Sequence, residues 1–184
     1  MAAKRKKKTK RTLRPVALFL ALALLLGGAI LILHRRASSE YEPLIARYAA
    51  QYNVPEAFVL AVAETESHFR PDAVSSAGAR GLMQITPQTF EWLQTKTGEQ
   101  LPVEALEDPE VNVRYGTFFL SMLLERFGNT DTAAAAYNAG MNAVARWLEN
   151  PEYSDDGVHL KQIPVDETRY YVVKINRALK KYGK

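Results

Sequence analysis

The hydrophobic pattern changes character near residue 34. Before it, residues 16–33 (VALFLALALLLGGAILIL) form an unbroken run of 18 uncharged, mostly apolar positions; after it, apolar positions recur between Pro and Gly breaks. As a helix rising 1.5 Å per residue, the run is about 27 Å long. That is close to the ~30 Å hydrocarbon core of a bilayer, so it is long enough to span one. Beyond it no stretch alternates as a half-buried strand would. Glu42–Gln51 predicts a short helix. A second has Asn53 as its cap, Pro55 in its first turn and Ala57–Ala63 as its buried centre. Thr86-Pro87 opens a third, which ends before Gly98. Asp108-Pro109-Glu110 starts a fourth, with a capping acid, Pro at the first helical position and an acid in the first turn. That helix carries Val111, Val113, Phe118, Phe119, Met122 and Leu123 to a stop at Gly128. Helices follow from Asp131 to about Asn138, from Asn142 to Glu149, and from Glu167 to about Tyr182 with Asp166 as cap, and Glu152–Pro164 is a loop. The expected fold is all-α: one helical domain over residues 41–184, behind a single N-terminal transmembrane helix.

Charge divides the chain at the same place. Residues 1–36 carry ten Lys/Arg and no acid, whereas the remaining 148 carry 14 Lys/Arg against 20 Asp/Glu, a net charge of −6. The basic character belongs to a tail, so no nucleic-acid partner is expected. Eight cations precede the apolar run and only Arg35 and Arg36 follow closely. That bias puts the N-terminus in the cytoplasm and the domain outside. The expected organisation is a basic cytoplasmic tail (1–15), a signal anchor in the cytoplasmic membrane (16–33), a linker (34–40) and the folded domain (41–184). A cleaved signal peptide is the competing reading. The length of the run, His34-Arg35-Arg36 after it and the lack of an Ala-x-Ala site favour the anchor. Cysteine is absent, which excludes disulfides, thiolate catalysis and thiolate zinc sites. His34, His68 and His159 are too scattered to ligate a metal, and neither metal nor cofactor is expected.

Candidate chemistry is concentrated between Glu64 and Thr89, ETESHFRPDAVSSAGARGLMQITPQT. A carboxyl in an apolar setting stays protonated to higher pH and can act as an acid. Glu66 shares a helix face with Val59, Val62 and Ala63; Glu64 shares one with Ala57, Leu60 and Ala61. The hydrophobic pattern does not choose between them, and residues two apart point about 200° from each other, so they cannot act as a pair.

Glu66-Ser67, Phe69, Pro71, Ala73, Ser75, Gly78-Ala79, Gly81-Leu82-Met83-Gln84-Ile85, Pro87 and Thr89 stand in a register that resembles the core signature of the lytic transglycosylase (SLT) catalytic domain. This goose-type-lysozyme-like family cuts bacterial peptidoglycan. Ala136-Tyr137-Asn138-Ala139-Gly140 resembles its second motif, and Glu167-Thr168 with Tyr171-Val172 its third, E-T-x-x-Y-V. The resemblance covers about residues 41–182 and implies a lysozyme-like helical fold with Glu66 as catalytic acid and then base. It implies groove roles for Ser75, Gln84, Tyr137, Asn138, Glu167 and Tyr171, with the phenol of Tyr137 against the sugar or bonded to Glu66. Ser75 also suits a turn cap, and Glu167 a helix-end charge. Leu82, Met83 and Ile85 read as core, as do Trp92, Trp147, Phe118 and Phe119, and Tyr170 as packing. The implied partner is the peptidoglycan glycan strand and the implied product a 1,6-anhydro sugar. A lysozyme-like hydrolase and a non-catalytic wall-binding scaffold are the alternatives.

Overall fold

The computed structural model describes residues 13–183, with side chains for residues 19–28 and 39–183. The chain divides into two units, Met1–Arg36 and Ala37–Lys184. Helix α1, Leu13–Tyr52, has residues in both. In the first unit the side chains of Phe19, Leu20, Leu22 and Leu24–Leu26 are all more than half exposed. The basic tail expected over residues 1–15 lies outside the described side chains, as do both ends of the 16–33 run. Among the described residues no helix is long and apolar enough to cross a membrane.

The second unit is helical. After α1 come α2 (Glu56–Ser67), α3 (Pro87–Thr97), a 3-10 turn (Val103–Glu107), α4 (Pro109–Phe127), α5 (Thr130–Ala139), α6 (Met141–Leu148) and α7 (Asp166–Tyr182). Two isolated bridges, Val74–Arg80 and Arg80–Ile85, are the extended pairings recorded among the described residues. Local chemistry sets most boundaries. Thr86 Oγ1 accepts from the Thr89 N–H at 3.1 Å, Asp108 Oδ1 from those of Glu110 and Val111 at 2.7 and 3.3 Å, and Asn129 Oδ1 from that of Thr132 at 2.8 Å. These accept bonds from N–H groups the helix itself leaves unpaired. Gly98 and Gly128 close α3 and α4 in the left-handed conformation.

Three local expectations need correction. Asn53 does not cap α2; it sits at φ 54° in the turn after α1, and Pro55 holds the cap position. Asn tolerates the left-handed region, and the fixed φ of Pro55 starts the helix two residues later. The helix expected to begin at Glu42 is the end of α1, because nothing between His34 and Tyr41 is a breaker. Tyr170 is 62% exposed, since its neighbour Tyr171, about 100° round the helix, takes the inward face.

Helix α2 is the centre of the core: Phe58 through Ala63 are each 5% exposed or less. Helix α7 packs along α2 and against α5, and α4 packs on α5. Ala133–Ala136 are fully buried on α5, small enough for its neighbours to approach closely. The last turn of the most buried helix therefore carries Glu66, with α7 laid across it.

Candidate active site

Glu66 is half-buried at the end of α2, and the phenol of Tyr171 on α7 donates a 2.8 Å hydrogen bond to its Oε1. Burial pushes its carboxyl pKa up to about 7; the Tyr171 bond and the Lys174 ammonium pull the other way and only partly offset it. Desolvation penalises the charged form, and a donor or cation favours it. Glu99 shows the opposite balance: two short bonds from Arg114 and one from Tyr115 hold it down at about 2. Glu64 also differs, because both its oxygens accept from Lys181 Nζ at 3.0 Å. The two glutamates that periodicity leaves equivalent therefore have different surroundings. Glu66 meets one phenol in an apolar setting, whereas Glu64 meets the Lys181 ammonium and the Tyr182 hydroxyl.

Tyr137 lies close enough for the Glu66 charge to act on it. Burial and that charge raise the phenols of Tyr137 and Tyr171 well above the usual tyrosine value, so both remain neutral donors. Tyr137 does not bond Glu66; its hydroxyl donates to the Met83 carbonyl at 2.7 Å, and its ring lies 5.2 Å from that of Phe119.

The 81–84 turn is held from three sides. Ser67 Oγ donates to the Leu82 carbonyl at 2.8 Å and accepts from the Arg70 N–H. Asn112, fully buried on α4, accepts from the Met83 N–H and donates to the carbonyls of Arg80 and Leu106, each at 2.8 Å. Gly81 sits at φ 77°, and a Cβ there would meet Asn112 Nδ2 at 2.2 Å and the Leu106 carbonyl at 2.6 Å. Gln84 adopts φ 48°, an uncommon conformation for a residue with a side chain. Its Nε2 donates to the carbonyls of Ala73 and Gly81, so both bonds are made by the amide nitrogen and Oε1 keeps its acceptor capacity. His68 and Phe69, both at positive φ, reverse the chain after α2 and send the Phe69 ring into the core. Leu82, Met83 and Ile85 are buried alongside it.

The other residues singled out from the sequence are more dispersed. Ser75 is exposed and accepts from the Ala79 N–H at 3.0 Å, closing the 75–79 turn while keeping its own proton to donate. Asn138 is half-buried, and its Oδ1 accepts from Thr168 Oγ1 at 2.7 Å, which ties the end of α5 to the start of α7. Glu167 is exposed in the first turn of α7, where a carboxylate complements the helix dipole. Within the Glu-Thr pair it is the buried Thr168 that makes the inter-helix bond. Asn112 is thus a support that the sequence reading did not name, while Ser67 and Thr168 stood in its motifs without a role of their own. For Asn112 the available signal was a polar side chain between Val111 and Val113 on a helix. Phe119 also lines a cleft of about 580 Å³ with Trp92, Gly140, Met141 and Arg146. No group of three His, Asp or Glu side chains among the described residues is arranged to hold a metal ion.

A family model described as the transglycosylase SLT domain matches residues 43–159. The soluble lytic murein transglycosylase of Escherichia coli (strain K12) is 37% identical over 145 residues, covering 76% of this chain and 22% of that protein. Membrane-bound lytic murein transglycosylase C of Yersinia pestis (strain Pestoides F) is 35% identical over 168 residues, covering 78% and 46%. Among solved structures, an inactive mutant of the lytic transglycosylase Slt from Pseudomonas aeruginosa superposes with a TM-score of 0.69 at 36% identity, over 77% of this chain and 23% of that one. The 70-kDa soluble lytic transglycosylase in complex with bulgecin A gives 0.70 at 32%, over 78% and 24%. The chain thus spans less than half of each of these proteins.

Proposed function

Because the chain belongs to the transglycosylase SLT domain family, we propose that its second unit is a peptidoglycan lytic transglycosylase with Glu66 as its single acid and base. The observation that carries this reading is the Tyr171–Glu66 pair, in a setting that keeps the carboxyl half-protonated near neutrality. A general acid is most effective when its pKa lies near the working pH.

Glu66 gives its proton to the oxygen between C1 of N-acetylmuramic acid and the next N-acetylglucosamine. The C1–O bond breaks and its electron pair leaves with that oxygen. The acetamido oxygen of the same muramyl residue stabilises the positive charge left on C1. Glu66, now a carboxylate, takes the proton of the muramyl C6 hydroxyl as that oxygen bonds to C1. The products are a 1,6-anhydromuramyl end and a free N-acetylglucosamine end. Glu66 is reprotonated and no water is consumed. Tyr171 donates to the carboxylate in the step where it is charged. Two-carboxylate glycosidases place a second acid beside the sugar; here Glu64 is engaged with Lys181 instead. Gln84 Oε1, the Ser75 hydroxyl, Asn138, Glu167 and the Tyr137 ring serve as groove contacts for the flanking sugars.

The same reading makes residues 16–33 a signal anchor in the bacterial cytoplasmic membrane, with the N-terminus inside and the catalytic unit on the outer side. Eight cations before the run, its 18 uncharged residues and the exposed side chains of Phe19–Leu26 support it. So does a relative described as membrane-bound. The test is digestion of purified sacculi by the full chain, with product masses recorded. Anhydro-ended muropeptides are expected from wild type and none from Glu66→Gln. Products heavier by one water would instead establish a hydrolase, and no products from wild type a scaffold.

A further inference from the structure

The solvent face of α7 is not uniformly polar. Tyr171, Val172, Ile175 and Ala178 are buried, whereas Tyr170, Val173, Arg177 and Lys180, three or four residues apart, form an exposed ridge opposite them. Tyr170 and Val173 are 62% and 52% exposed. With Val165 at the N-cap they are three of the five large apolar side chains left exposed among the described residues of the second unit. Charge changes sign at the same place. Residues 37–167 carry 8 Lys/Arg against 20 Asp/Glu, and residues 168–184 carry six Lys/Arg and no acid. Arg169 pairs with Asp166 and also lies 5.6 Å from the centre of the Tyr170 ring, and Lys181 pairs with Glu64. Among the described residues no carboxylate is paired with Arg177 or Lys180, so the ridge sets two uncommitted cations beside an exposed aromatic.

We propose that this ridge docks on the anionic phospholipid surface of the membrane that anchors the chain. Tyr170 and Val173 sit at headgroup depth, and Arg177 and Lys180 meet lipid phosphates. The inference rests on reading residues 16–33 as that anchor, with the second unit on its outer side. A helix that enters a protein groove leads with a row of apolar anchors. A ridge that pairs tyrosine and valine with cations instead matches the interfacial zone of a bilayer, where aromatic rings sit beside phosphates. The rest of the second unit is acidic and is repelled by such a surface, so contact falls to the cationic element. Reach is not limiting. Seven residues, 34–40, separate the apolar run from the folded unit, at most ~25 Å of extended chain. A tether that short keeps the local concentration of lipid high, so a weak surface contact suffices. The buried face of the same helix carries Tyr171, bonded to Glu66, and docking therefore sets the distance of that carboxyl from the bilayer.

The chain has no cysteine, so Val173→Cys in the full chain takes a single fluorophore on the ridge, and Thr95→Cys takes one on α3 as a control. Each labelled chain is reconstituted in vesicles of brominated phosphatidylcholine, with and without phosphatidylglycerol. Quenching at position 173 is expected to rise about threefold with phosphatidylglycerol, and to fall back in raised salt or when Arg177→Glu and Lys180→Glu are combined. Quenching at position 95 stays the same in both vesicles. Equal quenching at 173 in the two vesicles, quenching that survives both charge reversals, or an equal rise at 95 would overturn the proposal. Flotation with neutral vesicles in raised salt tests the premise separately, since an anchored chain floats with them. A chain that does not float removes the anchor reading. The ridge is then kept if added anionic vesicles quench position 173 and the charge reversals abolish it, and both readings fall if they do not.

Discussion

The hydroxyl of Tyr171 donates a 2.8 Å hydrogen bond to Glu66, 105 residues earlier in the chain. Burial raises the carboxyl pKa and this bond lowers it. Tyr171→Phe therefore leaves burial less opposed. In wild type, kcat/KM is expected to fall as pH rises through about 7, as the acid loses its proton. In Tyr171→Phe that alkaline limb should move upward by roughly one unit, with lower kcat because the charged form loses a donor. A pH–rate profile checks this, and a limb that moved downward would contradict it.

Stability carries the same signature. Native Glu66 takes up its proton at about 7, against an ordinary value of 4.5 in the unfolded chain. Between those values the folded state binds more protons, so stability falls as pH rises through that window. At most about 3 kcal/mol is lost by pH 8. Glu66→Gln removes the burden: the variant should match wild type near pH 4 and exceed it by about 1–3 kcal/mol at pH 8 in urea unfolding. A difference independent of pH would mean that Glu66 titrates normally.

Glu64→Gln separates the two glutamates. The Glu64–Lys181 pair is partly exposed, so its loss should cost less than about 1 kcal/mol. Activity on sacculi should remain within about twofold of wild type, a change of under roughly 0.5 kcal/mol in barrier. Abolished activity in a folded variant would move the acid role to Glu64.

The supports of the 81–84 turn should be costly to remove. Asn112→Ala leaves the Met83 N–H and the carbonyls of Arg80 and Leu106 without their buried partner. A loss of about 3 kcal/mol or more is expected, read as a lowered Tm, with KM raised as the turn loosens. Gly81→Ala should be at least as damaging, because its Cβ would overlap Asn112 and the residue keeps a left-handed φ. Gly78→Ala makes the control: it has a similar φ of 77° with nothing within 4 Å of the added Cβ. Near-equal Tm losses at the two glycines would show that backbone conformation, not contact, sets the cost.

Helix positions were legible because their causes are local: Asp108 before Pro109, Thr86 before Pro87, and the Gly stops at 98 and 128. Site assignments depended on what crosses between elements. Periodicity put Glu64 and Glu66 on equally apolar faces, and the residue that tells them apart geometrically is Lys181, 117 positions from Glu64. Asn112 reads in sequence as a gap in the apolar stripe of α4; only the fold brings it to the backbone of residues 80, 83 and 106. Thr168 was overshadowed by the charge of Glu167, yet the hydroxyl is the buried partner of Asn138. Asn53 misled because the same side chain suits both a helix cap and a left-handed turn.

Helix α7 supplies both the cover over Glu66 and the phenol bonded to it, and it follows the other described helices in sequence. A nascent chain translated only as far as Pro164 has Glu66 on an uncovered helix, in water, with its proton already lost at neutral pH. Docking of α7 brings the Tyr171 hydroxyl to Glu66 and contributes to the burial that raises its carboxyl pKa. The order of the helices along the chain thus ties the raised pKa of Glu66 to the docking of an element that follows it by about 100 residues.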